Sequence, residues 1–198
     1  MISTKNQKKF LILLVSLYCF ITPLPTFANL YLQHSLLYFT HTDDVSNLDY
    51  SRMGNLFFIG ASIDGNGNYL LGQSIHLWNK AHTQEEGGEA YTFDMMEVGP
   101  RFFWFWDDEK TVYISAAYHF YARGTRKLGA EETEKISGTG MIFTFGYQLR
   151  VGQQFFLGAS LHYYSLALAE ATDNSNTTTD LTETITSIYP VLEFSLRF

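Results

Sequence analysis

From residue 30 to residue 198 apolar and polar side chains alternate with a period of two, not 3.6, which is the pattern of strands and not of helices. Eight segments carry it: 30–41, 53–64, 69–79, 94–105, 111–123, 138–149, 154–166 and 186–198. In the third, Leu71, Ile75 and Leu77 share one face, while Gly72, Ser74, His76 and Trp78 share the other. In the fourth, Met96, Val98, Pro100, Phe102 and Trp104 oppose Glu97, Gly99 and Arg101. Simple alternation through the fifth sets Ala122 with Ile114 and Phe120, and Tyr121 and Arg123 with His119. In the last, Ile188, Leu192, Phe194 and Leu196 oppose Tyr189, Glu193, Ser195 and Arg197. Each segment has about the 9–11 residues of a tilted membrane strand, or a few more. Strands of soluble proteins are nearer 5–6 residues.

The connections alternate in length. Asp64–Asn68, Trp106–Lys110 and Arg150–Gln153 are short and made of turn-forming or polar residues, whereas the stretches near 42–52, 80–93, 124–137 and 167–185 are long and polar. Short turns on one side and long loops on the other are the rhythm of an eight-stranded antiparallel up-and-down transmembrane β-barrel, with both termini on the periplasmic side. A soluble barrel of the same strand number would keep its apolar face inside. Here the second face carries charge, imidazole, hydroxyl and glycine, so closure with the apolar face outward gathers those groups in the lumen and pairs every backbone group, as lipid demands.

The first residues do not belong to this pattern. Lys5, Lys8 and Lys9 precede the apolar run Phe10–Ile21, then Pro23, Pro25 and the small-residue pattern Thr26-Phe27-Ala28, the layout of a secretory signal peptide. The expected division is a signal peptide over 1–28 and a barrel domain over 29–198. The only cysteine, Cys19, falls in the signal, so no disulfide is expected in the barrel. All 20 acidic residues lie after residue 28, with 13 − 3 = 10 basic ones, giving a formal charge of 10 − 20 = −10. Such a chain is a poor nucleic-acid binder. The acidic groups cluster in the loops, around Asp43 and Asp44, Glu85, Glu86 and Glu89, Glu131 and Glu132, and Asp173 and Asp180, and read as solvated surface.

Two stretches carry a resemblance. Residues 189–198, ending on Phe198 with apolar residues at alternate positions, resemble the C-terminal assembly signal of bacterial outer-membrane proteins. Glu97-Val-Gly-Pro-Arg101 is similar to a strand of small OmpA-, OmpX- and OmpW-like barrels. The resemblance implies the Gram-negative outer membrane, contact with its lipid and lipopolysaccharide, and delivery by the barrel-insertion machinery through Phe198. A monomer is expected.

Candidate chemistry sits on the inward face. Glu97, Arg101, Glu193 and Arg197 are expected to form a charge network filling the lumen, because buried charges are costly unless paired. A polar layer of His76, His119 and His162 is expected beside Glu97. Imidazoles with a carboxylate are competent metal ligands, but a hydrogen-bonded polar layer is the expected reading, with no metal and no cofactor. Trp78, Trp104 and Trp106 are assigned to interfacial belts, with the lumen the other position open to Trp78. No catalytic residue is assigned: His34 and Ser35 alternate to opposite faces, and Ser160 and His162 face the lumen, away from lipid. The expected role is a non-enzymatic barrel with a plugged lumen, serving envelope structure or surface interaction through its loops. A narrow, porin-like pore and a lipid A-modifying enzyme are the alternatives.

Overall fold

A computed structural model describes residues 29–42, 49–82, 91–128 and 132–198. The signal segment 1–28 and the loop acids Asp43, Asp44, Glu85, Glu86, Glu89 and Glu131 lie outside the described residues. The elements are β1 (Leu30–Thr42), β2 (Asp49–Ser62), β3 (Tyr69–His82), β4 (Tyr91–Phe105), β5 (Val112–Leu128), β6 (Glu134–Arg150), β7 (Phe155–Thr172), β8 (Thr178–Asp180) and β9 (Thr184–Arg197). Consecutive strands β1 to β7 pair antiparallel, β7 pairs with β9, and β9 returns to β1 through registers such as Gln33↔Ser195. Eight long strands therefore close an up-and-down barrel. The three-residue β8 folds back on the outer end of β7.

The three short turns and both ends of the described barrel meet at one rim. Phe105 N–H donates to Asn68 O, Gln148 N–H to Thr111 O, Arg197 N–H to Gln154 O and Phe198 N–H to Leu30 O. Carboxylates organise two of these turns. Asp64 accepts from Asn68 and Tyr69 N–H at 3.1 and 2.9 Å, and Asp107 from Thr111 and Val112 N–H at 3.0 and 2.8 Å. Partial burial pushes both carboxyls up. The N–H donors outweigh it and hold both below the ordinary value of 3.8. A depressed carboxyl stabilises the fold above its unfolded pKa, and that stabilisation is lost as pH falls through the folded value. Asp107→Asn is thus expected to lower the urea midpoint of the refolded barrel at pH 7, and the gap from wild type should shrink below about pH 4. A gap that does not change with pH would refute this account of the turn.

At the other rim the strands run further than alternation indicated. β5 continues to Leu128, β6 begins at Glu134 and β7 reaches Thr172, inside stretches assigned to loops. Beyond the lipid both faces of a hairpin meet water, so the ladder persists while the apolar–polar contrast that marks it disappears.

The outer surface is an apolar belt on every strand, with Ile59 53%, Phe145 58%, Leu161 51% and Leu192 61% exposed. β5 departs from simple alternation. The register shifts between His119 and Ala122 against β6, and against β4 across the same place. This bulge turns Phe120 and Tyr121 outward in succession, puts Ala122 inside and sends Arg123 out over the Tyr121 ring, the reverse of simple alternation.

The polar lumen as the candidate functional site

The interior is filled in tiers. Nearest the short-turn rim, Tyr31, Phe58, Leu70, Phe103, Phe105 and Tyr113 form an aromatic plug. The inward face is therefore not uniformly polar, because these strands carry rings on both faces near the rim. Tyr31 hydroxyl donates to Gln148 Oε1 at 2.9 Å, and Gln148 Nε2 donates to Lys110 O at 2.8 Å. Arg197 belongs to this tier. It donates to Gly67 O at 2.7 Å and lies over Phe105, 5.6 Å from the ring centroid. Gly67 adopts φ 67°, and a side chain there would meet the Arg197 guanidinium.

The next tier holds Glu193 and Arg101, both about 1% exposed. Glu193 accepts from Ser160 at 2.7 Å, from Ser35 at 3.2 Å and from the Tyr113 hydroxyl in a short contact. His162 Nε2 stands 3.6 Å from the same carboxylate. Arg101 donates through Nε and Nη2 to Ser115 at 3.0 and 2.9 Å and through Nη2 to Thr144 at 3.2 Å, with its guanidinium 4.4 Å from the Phe103 ring centroid. Among the described residues Arg101 makes no ion pair within 4.0 Å. The expected arginine–carboxylate ion pairs are not formed among these residues: Arg101 and Glu193 are each held by hydroxyls instead.

Above it, Glu97 is the hub of a third tier. Its Oε1 accepts from Trp78 Nε1 and Tyr164 hydroxyl at 2.7 Å each and lies 3.1 Å from His76 Nδ1, while Oε2 lies 3.2 Å from His119 Nδ1. Strand pairing His76↔Glu97 and the inward turn of β5 before its bulge bring these groups together. Gly140 on β6 leaves the room, since a Cβ there would collide with Glu97 Oε2. Glu97 thus meets two of the three histidines expected beside it. His162 is separated from His76 and His119 and belongs to the Glu193 tier.

Trp78 corrects the interfacial assignment. It is 4% exposed and points into the lumen, because it shares the phase of Ser74 and His76 and its indole N–H has a carboxylate to meet. Trp104 and Trp106 do face outward near the short-turn rim, stacked at 5.3 Å, with Tyr69 on Trp104 at 6.5 Å.

Arg52 is the functional candidate that alternation missed, since it fell in a stretch read as loop. It is 5% exposed and sits among rings, with its guanidinium 4.4 Å from the Trp78 centroid, 4.9 Å from Tyr164 and 5.0 Å from Tyr189. Nη1 donates to Ser187 at 2.7 Å. Its phase with Leu56 and Phe58 was the available signal. Arg52 and Arg101 balance Glu97 and Glu193, so these deeply buried charges sum to zero. Arg126 caps the rim opposite the short turns, donating to Glu134 at 2.6 Å and to Glu183 at 3.0 and 3.2 Å.

One arrangement has the order of a hydrolase triad. Ser74 Oγ lies 2.9 Å from His119 Nε2, and His119 Nδ1 lies 3.2 Å from Glu97. Ser74 and His119 are both 0% exposed, however, and the Ser74 hydroxyl donates to Gly99 O at 3.1 Å, so a carbonyl substrate has no approach to it in this conformation. The other two serine–histidine pairs are not productive either. Ser160 bonds Glu193, not His162, and His34 faces outward on Asn55 at 3.0 Å while Ser35 faces in.

An apolar belt on all sides of a closed sheet, around a buried polar interior, defines a transmembrane β-barrel. Similar solved structures include the translocator domain of the autotransporter NalP from Neisseria meningitidis, with TM-score 0.38 and 13% identity over 94% of this chain and 67% of that one. OmpT, an outer membrane protein of Vibrio cholerae, aligns with TM-score 0.29 and 12% identity over 88% of this chain and 53% of its own length. No protein-family profile matches the chain. No curated protein matches it.

Proposed function

We propose that the chain is an outer-membrane barrel whose lumen is closed by its own side chains, and that its role is envelope structure or surface interaction through the long loops. The observation that carries this reading is the lumen itself. Glu97, Arg101, His119 and Glu193 are each 0–1% exposed, and donors from several strands converge on both carboxylates. An eight-stranded interior is only wide enough for side chains, which supports a lumen closed by them. On this reading the termini are periplasmic, the insertion machinery reads Phe198, and the loops face lipopolysaccharide and the exterior. Neither conduction nor catalysis is part of it. A lipid A-modifying enzyme would reveal itself as altered lipid A on overexpression, which this reading does not expect.

The membrane orientation of the faces is tested with chains that keep a single tryptophan, refolded into vesicles of lipids brominated along their acyl chains. Trp104 fluorescence should be quenched and Trp78 fluorescence should not. Strong quenching of Trp78 would mean that the faces are assigned the wrong way round.

A further inference from the structure

Among the described residues the Glu97 carboxylate has four polar neighbours, and they are shared unevenly between its two oxygens. Oε1 of Glu97 takes Trp78 Nε1 and the Tyr164 hydroxyl at 2.7 Å each. A carboxylate oxygen offers about two lone-pair positions, so these two donors satisfy it. His76 Nδ1 lies 3.1 Å from the same oxygen as a third neighbour. Oε2 has only His119 Nδ1, at 3.2 Å. On the far side of that ring, Nε2 is 2.9 Å from Ser74 Oγ, whose one proton goes to Gly99 O at 3.1 Å. When Ser74 gives its proton to Gly99 O it accepts from His119 Nε2–H, the tautomer that leaves Nδ1 with a lone pair free for a ligand bond. In that tautomer the Nδ1 lone pair and the Glu97 carboxylate oxygen, 3.2 Å apart, face the same point and can share a cation.

We propose that His76 Nδ1, His119 Nδ1 and the Glu97 carboxylate bind one divalent transition-metal ion of the zinc class. Two imidazoles and one carboxylate are a set that Zn²⁺ accepts. Bonds of about 2.0–2.2 Å in a tetrahedron put ligand atoms roughly 3.3–3.6 Å apart. His76 Nδ1 lies 3.1 Å from Oε1 and His119 Nδ1 3.2 Å from Oε2 of the same carboxylate, and one ligand atom from each of the three residues can be chosen so that all lie within 4.8 Å of one another. The outer partners are also in place. Trp78 and Tyr164 orient the carboxylate, and Ser74 holds the His119 ring, the kind of support that metal-binding side chains require. The ligands come from β3, β4 and β5, so the ion would clip three strands together. Because the lumen is closed, the ion enters as the strands assemble and adds its binding free energy to folding.

The test is to refold the chain from urea into detergent with Zn²⁺, strip loosely held ions with a chelator, and measure metal per folded chain by mass spectrometry. His76→Gln, His119→Gln and Ser74→Ala variants run beside it, each checked for folding by the heat-dependent gel shift of barrels. The expected result is one tightly held ion per wild-type chain, a higher melting temperature than the protein refolded with chelator, loss of the ion in both glutamine variants, and about 10- to 100-fold weaker binding in Ser74→Ala. Folded wild type without bound metal overturns the proposal, whatever the variants do. So does metal retained equally by both glutamine variants, which would place it on other groups. The closed-lumen reading stands apart from this result, since it needs no ion.

Discussion

Glu97→Ala should cost about 3–5 kcal/mol of barrel stability, the range for removing one partner from a buried charged cluster. The alanine leaves the Trp78 and Tyr164 donors without an acceptor, and it leaves Arg52 without its balancing charge in a ring-lined pocket. Glu97→Gln keeps a carbonyl for Trp78 and Tyr164 and should cost less, about 1–3 kcal/mol, the range for an imperfectly satisfied buried group. Urea unfolding of the refolded protein in lipid vesicles, followed by gel shift, measures both. Equal stability of Glu97→Ala and wild type would mean that the tier is not a structural hub.

The second large effect tests whether the lower charges act as a unit. Arg101 and Glu193 make no direct bridge, yet they are opposite charges buried in the same tier of the lumen. Arg101→Met should cost about 3–5 kcal/mol, because it leaves an uncompensated carboxylate in the lumen. Glu193→Gln should also destabilise, since Tyr113, Ser160 and Ser35 all donate to that side chain. The double variant restores neutrality. It should fall short of the summed single costs by about 0.5–3 kcal/mol, the range for coupled residues. Strict additivity would show that the hydroxyls alone hold each charge and that the two do not couple.

Much of this fold was legible before any coordinates, because membrane strands must repeat one contrast on every pass through lipid. The phase that sent Leu71, Ile75 and Leu77 outward also sent Ser74, His76 and Trp78 inward, and Glu97, Arg101 and Glu193 lie in the lumen on the same logic. Three things were not legible. Alternation cannot see an inserted residue, so the bulge at Phe120 and Tyr121 reversed Arg123 and Ala122. It fades where both faces meet water, so Arg52 and Arg126 were hidden in stretches that read as loops. Pairing across the lumen depends on strand tilt and stagger, which spacing along one strand does not report. That is why His162 joins Glu193 and not the layer of His76, His119 and Glu97.

The claim on which the rest depends is that side chains close the lumen. Refolded protein, with folding shown by its gel shift, should be placed in a planar lipid bilayer and its single-channel current recorded beside Arg101→Ala. The account predicts a silent membrane for the wild-type chain. Steady openings that change in Arg101→Ala would contradict it and make the same charges the gate of a pore.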